Sequence, residues 1–413
     1  MKKRTTKSPS AASVVWETLE THLRGGIQGM LQRILEEEVT AFLGREKSER
    51  RRPVDGSLGY RNGYGKERRL ALSCGTVVLR RPRLRGLEER FVSRILPLFC
   101  RRTKEVGDLL PELYLHGLSL GDFELALRGL LGEGAPLSPS SIDRLRAKWQ
   151  GEFEEWRTRS LAEEEVVYLW VDGIYVKAGL EKEKACLLVA IGALRDGRKI
   201  VLAIESGYRE STESWAELLR GLRDRGMTVP RFVIGDGHLG IWGALDEVFP
   251  RAEQGRCWNH KIRNVLAALP RKLRAPAEDL LRKIPAAETQ EECERLRDRF
   301  VRRYQGGYPK AAETLLRDWE RMVTFYRFPK EHWKHLRTSN VVESPFASVR
   351  LRTAAGKRYK KVANATALIW KVLMVAESRF RRLDAPHLLA QVAEGVVYAD
   401  GVRVQSPKRR AAA

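Results

Sequence analysis

Two Asp residues set inside or against apolar strand-forming runs constrain this chain more than any other feature. Val166–Tyr175 reads Val-Val-Tyr-Leu-Trp-Val-Asp-Gly-Ile-Tyr, and Arg231–Gly235 reads Arg-Phe-Val-Ile-Gly, followed directly by Asp236. β-Branched and aromatic residues at this density make strands. Asp is depleted in strands and costly to bury unless it is paired, hydrogen-bonded or holding a metal. Asp172 and Asp236 are therefore the first candidates for chemistry. Carboxylates at neighbouring strand ends are hard oxygen ligands that suit Mg²⁺ or Mn²⁺. An Asp capping a strand-end turn, or one pairing with an Arg, explains either position taken alone.

The surrounding pattern sets the sheet. Ala185–Leu194 and Lys199–Glu205 are strand-like runs joined through Asp196-Gly197, a strong hairpin signal. Ser214–Arg225 reads as a helix, with Ser214 and Glu217 in capping-box spacing. Three strands followed by alternating helices and strands predict a mixed sheet covered by helices. Residues 261–335 are helical in pattern throughout. Ahead of the sheet, Val15, Leu19, Leu23, Ile27, Leu31, Leu35 and Val39 recur every four residues, which marks helix faces. Gly25-Gly26 predicts a break into two helices there. Ser119–Leu131 and Ser138–Trp149 are two short helical patterns around Gly132-Glu-Gly-Ala-Pro136, compatible with a helix-turn-helix or a plain helical hairpin.

Charge names the class of partner. Of 413 residues, 76 are Lys or Arg and 53 Asp or Glu, a formal net charge of +23. Arg45–Lys104 holds 18 basic against 6 acidic residues, and Arg337–Arg382 holds 11 against 2, so nearly all the excess falls in two tracts. Basic residues kept merely for solubility would be spread over every surface. The tracts read as phosphate-contacting surfaces, with solvated charge runs as the alternative. The first supplies Arg51, Arg52, Arg61, Lys66, Arg68, Arg80, Arg81, Arg83 and Arg85 as DNA-binding candidates. The second supplies Arg350, Arg352, Lys357, Arg358, Lys360 and Lys361. A hydrophobic fraction of 43% excludes wholesale disorder. Lys371 interrupts the most suggestive apolar stretch, Ala367–Ala376, so no membrane span is expected. Cys74, Cys100, Cys186, Cys257 and Cys293 are scattered and odd in number, unlike a secreted disulfide scaffold. The expectation is a soluble, intracellular protein that seeks nucleic acid.

Six segments, taken in order, carry a resemblance. They are Gly59-Tyr-Arg-Asn-Gly-Tyr64, the Gly75–Arg85 strand and basic arm, Val171-Asp-Gly173, Gly235-Asp-Gly237, Cys257-Trp-Asn-His260 and Thr338-Ser-Asn-Val-Val-Glu343. Over roughly residues 10–385 the chain resembles the Mutator-type insertion-sequence transposases, a branch of the DDE transposases. The resemblance implies an α/β, RNase H-like mixed-sheet catalytic core with an all-α insertion, preceded by helical and basic DNA-binding N-terminal regions. In this sequence that organisation reads as a helical region 1–44, a basic, partly β region 45–104 and a helical region 105–160. The core then occupies 161–260 and 336–385, with the insertion at 261–335 and a tail at 386–413.

By the same resemblance Asp172, Asp236 and Glu343 are the catalytic, metal-holding acids, with two Mg²⁺ or Mn²⁺ ions per active site. Cys257 and His260 are implied to support the site. The implied partners are double-stranded DNA, both terminal inverted repeats and target, and a second copy of the chain. The implied setting is the nucleoid in the cytoplasm of a prokaryotic cell. The implied reaction is strand cleavage followed by transesterification by the freed 3′-OH. A nuclease of the same fold that only hydrolyses, or a catalytically silent DNA-binding relative, fits the same residues.

Four local expectations accompany these. Asn340-x-x-Glu343 also matches a helix-start pattern, and Pro345 suits a helix beginning at Ser344. His332 and His335 are too distant in sequence from Cys257 and His260 for a standard zinc spacing. Trp319 and Trp333 are expected to pack helices rather than stack on a base. His238 is expected in a surface loop.

Overall fold

The computed structural model of the chain describes residues 11–50, 59–96, 101–118, 123–131, 139–179, 184–207, 209–237, 239–356 and 359–404. The chain divides into two compact units, Met1–Leu145 and Arg146–Ala413.

In the first unit, helix α1 (Ala11–Leu43) runs unbroken through Gly25 and Gly26, contrary to the expected break. Glycine costs a helix about 1 kcal/mol relative to Ala but does not end it, and no proline or left-handed residue interrupts this one. The strands β1 (Tyr60–Leu72) and β2 (Gly75–Arg85) form an antiparallel hairpin. Leu35 of α1 packs with Leu70, Val77, Leu79 and Leu96 in a small core. The Gln32 amide donates to Arg80 O at 2.8 Å and accepts from Arg80 N at 2.9 Å, so α1 satisfies backbone groups along the β2 edge. Helices α2 (Lys104–Leu115) and α3 (Phe123–Leu131) follow, and α4 (Pro139–Thr158) runs across the boundary between the units. The turn that a helix-turn-helix needs, Gly132–Pro136, lies outside the described residues.

The second unit is built on a five-stranded sheet. Its strands are β3 (Val166–Val176), β4 (Ala185–Leu194), β5 (Lys199–Gly207), β6 (Phe232–Gly235) and β7 (Glu253–Arg256), in the order β5-β4-β3-β6-β7. β3, β4 and β5 are antiparallel, whereas β6 and β7 run parallel to β3. Helices α5 (Thr212–Asp224) and α6 (Leu239–Val248) cover one face. There Trp215, Leu218, Leu219 and Leu222 of α5 pack with Leu169, Val171 and Val233 of the sheet. Burial of this kind stabilises by about 1.5–3 kcal/mol for each large side chain. α5 starts earlier than its expected Ser214 cap, because the Ser211 side chain accepts from Ser214 N.

After β7 the chain makes the expected helical excursion. It comprises α7 (Trp258–Ala267), α8 (Arg271–Lys283), α9 (Gln290–Tyr304), α10 (Pro309–Leu316), α11 (Trp319–Val323) and α12 (Trp333–Leu336). Its two ends meet again, since Trp258 N donates to Arg337 O at 2.8 Å. Trp333 is buried and donates its indole N–H to Phe328 O at 2.9 Å, a packing role as expected. Helices α13 (Asn340–Ala355) and α14 (Val362–Glu377) return the chain to the sheet, α13 against β3 and α14 against β5. No helix among the described residues is long and apolar enough to cross a membrane. Cys74, Cys186, Cys257 and Cys293 are free thiols.

Candidate acidic metal site

Parallel pairing brings the two Asp residues side by side. Tyr168, Leu169 and Trp170 of β3 pair with Phe232, Val233 and Ile234 of β6, and the same register carried two residues further aligns Asp172 with Asp236. Oxygens of Asp172, Asp236 and a third acid, Glu210, lie within 4.8 Å of one another. Asp172 is 8% exposed, and its Oδ1 accepts from Gly173 N at 2.8 Å. Burial, then the charges of Asp236 and Glu343, push its carboxyl up to about 8 against the weaker opposing pull of that N–H. Asp172 thus sits where negative charge accumulates.

Glu343 enters from α13, in a pocket of different composition. Cys257 Sγ, His260 and Glu343 offer ligand atoms within 4.8 Å of one another. Ser339 Oγ donates to Glu343 Oε1 at 2.5 Å, and His260 Nδ1 lies 3.5 Å from the same oxygen. Arg263 approaches the other oxygen at 3.7 Å. Cys257 Sγ accepts from Ser339 N at 3.3 Å. Burial lowers the His260 pKa against the opposing pull of Glu343, and burial raises that of the Cys257 thiol. Cys257 and His260 thus hold the helix start and one oxygen of the acid it presents.

That start falls at the Asn340 pattern and not at Ser344. α13 begins at Asn340, and Pro345 lies within it rather than in its first turn. Proline there forfeits the N–H bond to Val341 O. The start is instead tied from outside, by Ser339 N to Cys257 Sγ and by Asn259 Nδ2 to Asn340 Oδ1 at 3.0 Å. His332 and His335 join neither cluster. His332 contacts the Tyr168 hydroxyl at 2.8 Å and Ala385 O at 3.2 Å, and His335 lies 3.5 Å from Asp384.

The basic candidates separate by exposure. Lys66, Arg80, Arg83 and Arg85 are exposed on the β1–β2 hairpin, whereas Arg61, Arg68 and Arg81 are half-buried. Arg61 is tied to Glu36 and Thr40, each at 2.7 Å, and Arg80 to Glu67 at 2.6 Å. Lys66, Arg68, Arg81, Arg83 and Arg85 line an open cleft of about 880 Å³. In the second tract Arg350, Lys360 and Lys361 are exposed. Tyr359 N donates to Lys177 O and Tyr359 O accepts from Gly179 N, so Lys360 and Lys361 follow a residue bonded to the chain just beyond β3.

Arg352 is a correction: it is 2% exposed and shows no surface to DNA. It shares the buried face of α13 with Val342, Phe346 and Val349, a helical spacing that a count of charges ignores. Arg51, Arg52, Lys357, Arg358 and His238 lie outside the described residues.

Three buried ionisable side chains, Glu210, Arg256 and Lys261, escaped the reading of the sequence. Glu210 lies in a polar turn, where no periodicity marks it. Arg256 ends β7 and donates to Asp318 at 2.6 Å, with its guanidinium under Gly237. An Arg directly before the Cys257 motif is the only trace of it in the sequence.

Comparison with known proteins agrees with this architecture. Residues 2–382 match the family described as "Transposase, Mutator family". A transposase for insertion sequence element IS6120 of Mycolicibacterium smegmatis is 46% identical over 302 residues, 73% of this chain and 94% of that protein. A transposase for element IST2 of Acidithiobacillus ferrooxidans is 40% identical over 67% of this chain and 94% of its own length. The transposase for IS256 in transposon Tn4001 of Staphylococcus aureus is 26% identical over 90% of this chain and 94% of its own. A match across nearly the whole length, on a chain whose mixed sheet aligns two Asp residues, leaves one assignment: the chain belongs to the Mutator family of transposases.

Proposed function

We propose that this chain is a transposase that cuts DNA at the ends of its insertion sequence and joins them to a target, using Asp172, Asp236 and Glu343. One observation carries the proposal. Two Asp residues on adjacent parallel strands converge with a buried carboxyl pushed up to about 8, and the charge of Glu343 contributes to that shift. The second unit is read as an RNase H-like core interrupted by the α7–α12 insertion, and residues 45–104 with 105–160 as the DNA-binding regions.

The donor set fits Mg²⁺ or Mn²⁺, because all three acids offer carboxylate oxygens and the charges that shift Asp172 are, among the described residues, those of other carboxylates. Two such ions, when bound, supply the Lewis acidity and charge neutralisation of an in-line displacement at phosphorus. The side chains do the positioning. Asp172 and Asp236 are fixed by the strand register, and Glu343 is held by Ser339 and His260. Lys360 and Lys361, next to the Tyr359 contact with the segment beyond β3, steer the phosphodiester towards the acids. A water oxygen first attacks at the element end and frees a 3′-OH, which then attacks a target phosphodiester. No bond between protein and DNA forms. Joining two ends calls for two copies of the chain.

The test is strand transfer with duplexes carrying the element ends, in Mg²⁺. Asp172→Asn, Asp236→Asn and Glu343→Gln are each expected to lose about a hundredfold or more of joining while still binding the ends. Joining retained in Asp172→Asn would remove that residue from the mechanism. Cut ends without joined products would make the chain a nuclease.

A further inference from the structure

Glu210 lies between β5 and the Ser211 cap of α5, away from every motif singled out in the sequence. It is nonetheless 8% exposed, as deeply buried as Asp172. Three features of the backbone build it into that place. Arg209, just before it, adopts a left-handed conformation with φ of 60°, a costly geometry for a residue with a side chain. Gly173 leaves open the space that the Glu210 carboxylate occupies: a Cβ at Gly173 would meet Glu210 Oε1 at 2.6 Å. Gly240, at the start of α6, does the same for the backbone, since a Cβ there would overlap Glu210 O.

The place so made faces the acids. Glu210 brings an oxygen within 4.8 Å of those of Asp172 and Asp236, whereas Glu343 groups with Cys257 and His260. Gathering a third carboxylate beside two others in a buried site costs folding energy, because like charges repel there. An acid kept for packing alone would be served as well by Gln.

We propose that Glu210 is a fourth carboxylate of the site, an oxygen ligand for a divalent cation shared with Asp172 and Asp236. The inference rests on the proposed metal-dependent reading and deepens it. Glu343, grouped with Cys257 and His260, then stands apart from a set of Asp172, Glu210 and Asp236 preassembled by the sheet and the turn into α5.

The test uses the full chain and Mn²⁺ alone, with free Mn²⁺ read by electron paramagnetic resonance and folding by thermal melting. Glu210→Gln is expected to weaken Mn²⁺ binding roughly tenfold or more. Its metal-free form should melt at least as high as the parent, because a repulsion has been removed. Gly173→Ala, which displaces the carboxylate without changing charge, should weaken Mn²⁺ binding in the same direction and answers the question if Glu210→Gln does not fold. Asp172→Asn is the control for the underlying reading. Unchanged Mn²⁺ affinity in Glu210→Gln or Gly173→Ala, with Asp172→Asn impaired, overturns the role of Glu210 and leaves the metal site standing. Unchanged affinity in Asp172→Asn as well overturns the metal site itself.

Discussion

Gly237 follows Asp236 with φ of 100°, and any Cβ placed on it would overlap the Arg256 guanidinium. Arg256 has little room to move, being 8% exposed and tied to Asp318 at 2.6 Å. Gly237→Ala therefore combines backbone strain with a displaced buried ion pair. We expect it to lose about 1–3 kcal/mol in chemical denaturation. A variant as stable as the parent would show that Arg256 yields freely. At this scale the sequence is readable where a residue contradicts its surroundings. Asp172 stands out because it interrupts an apolar strand, and Asp236 because it ends one. Glu210 does not, since its neighbours Arg209, Ser211 and Thr212 are ordinary turn residues and its burial is decided by glycines distant in sequence. Glu343 was reached through family resemblance; its contacts to Ser339 and His260 depend on a tertiary approach that spacing does not encode.

Among elements, the strand and helix order from β3 to β7 follows the sequence pattern, because apolar runs of this length leave little alternative. Starts and interruptions fared less well. Ser211 and Ser214 are both plausible caps, and the burial of Trp215 and Leu219 on the sheet favours the earlier one. Gly25 and Gly26 were expected to stop α1, yet a Cβ at either position would meet nothing within 4 Å. Gly25→Ala and Gly26→Ala should each raise stability by about 0.5–1 kcal/mol, read as a higher denaturation midpoint. Destabilisation by either would mean that α1 is not continuous there. His332, the residue directly before α12, carries a second measurable consequence. His332 is buried against Tyr168, and burial holds its pKa down from 6.5 to about 4. The unfolded chain therefore takes up this proton first, and the stability that neutral His332 provides above pH 6.5 is lost as the pH falls towards 4. His332→Gln should flatten the decline of stability across that window, as measured by melting at stepped pH. An equally steep decline would assign it to other groups.

Across the whole chain, the +23 charge separates from the chemistry. The β1–β2 hairpin exposes Lys66, Arg83 and Arg85 in the first unit, whereas Lys360 and Lys361 are exposed just before α14 in the second. Replacing the first group with Ala should flatten the slope of log affinity against log salt by about 0.9 per lost phosphate contact. Rates of joining at saturating DNA should then be unchanged. Replacing Lys360 and Lys361 should lower the rate as well, and equal behaviour of the two groups would remove the distinction. The charge tracts were legible as a partner class because charge needs no fold to be counted. Which cations reach solvent was not, as Arg352 illustrates.

Trp258 N on Arg337 O joins points 79 residues apart in sequence, and Ser339 N on Cys257 Sγ joins points 82 apart. The cost of closing a loop grows only with the logarithm of its length, about 0.6 kcal/mol for each doubling. A surface turn between those points can therefore lengthen with little effect on where Glu343 arrives, so long as His260, Asp318 and His332 keep their contacts. The exposed Gly306-Gly307 turn, with open space around both residues, is a place where foreign sequence could be spliced in. Clipped at its base, the helical excursion would carry such an insertion as cargo at that turn.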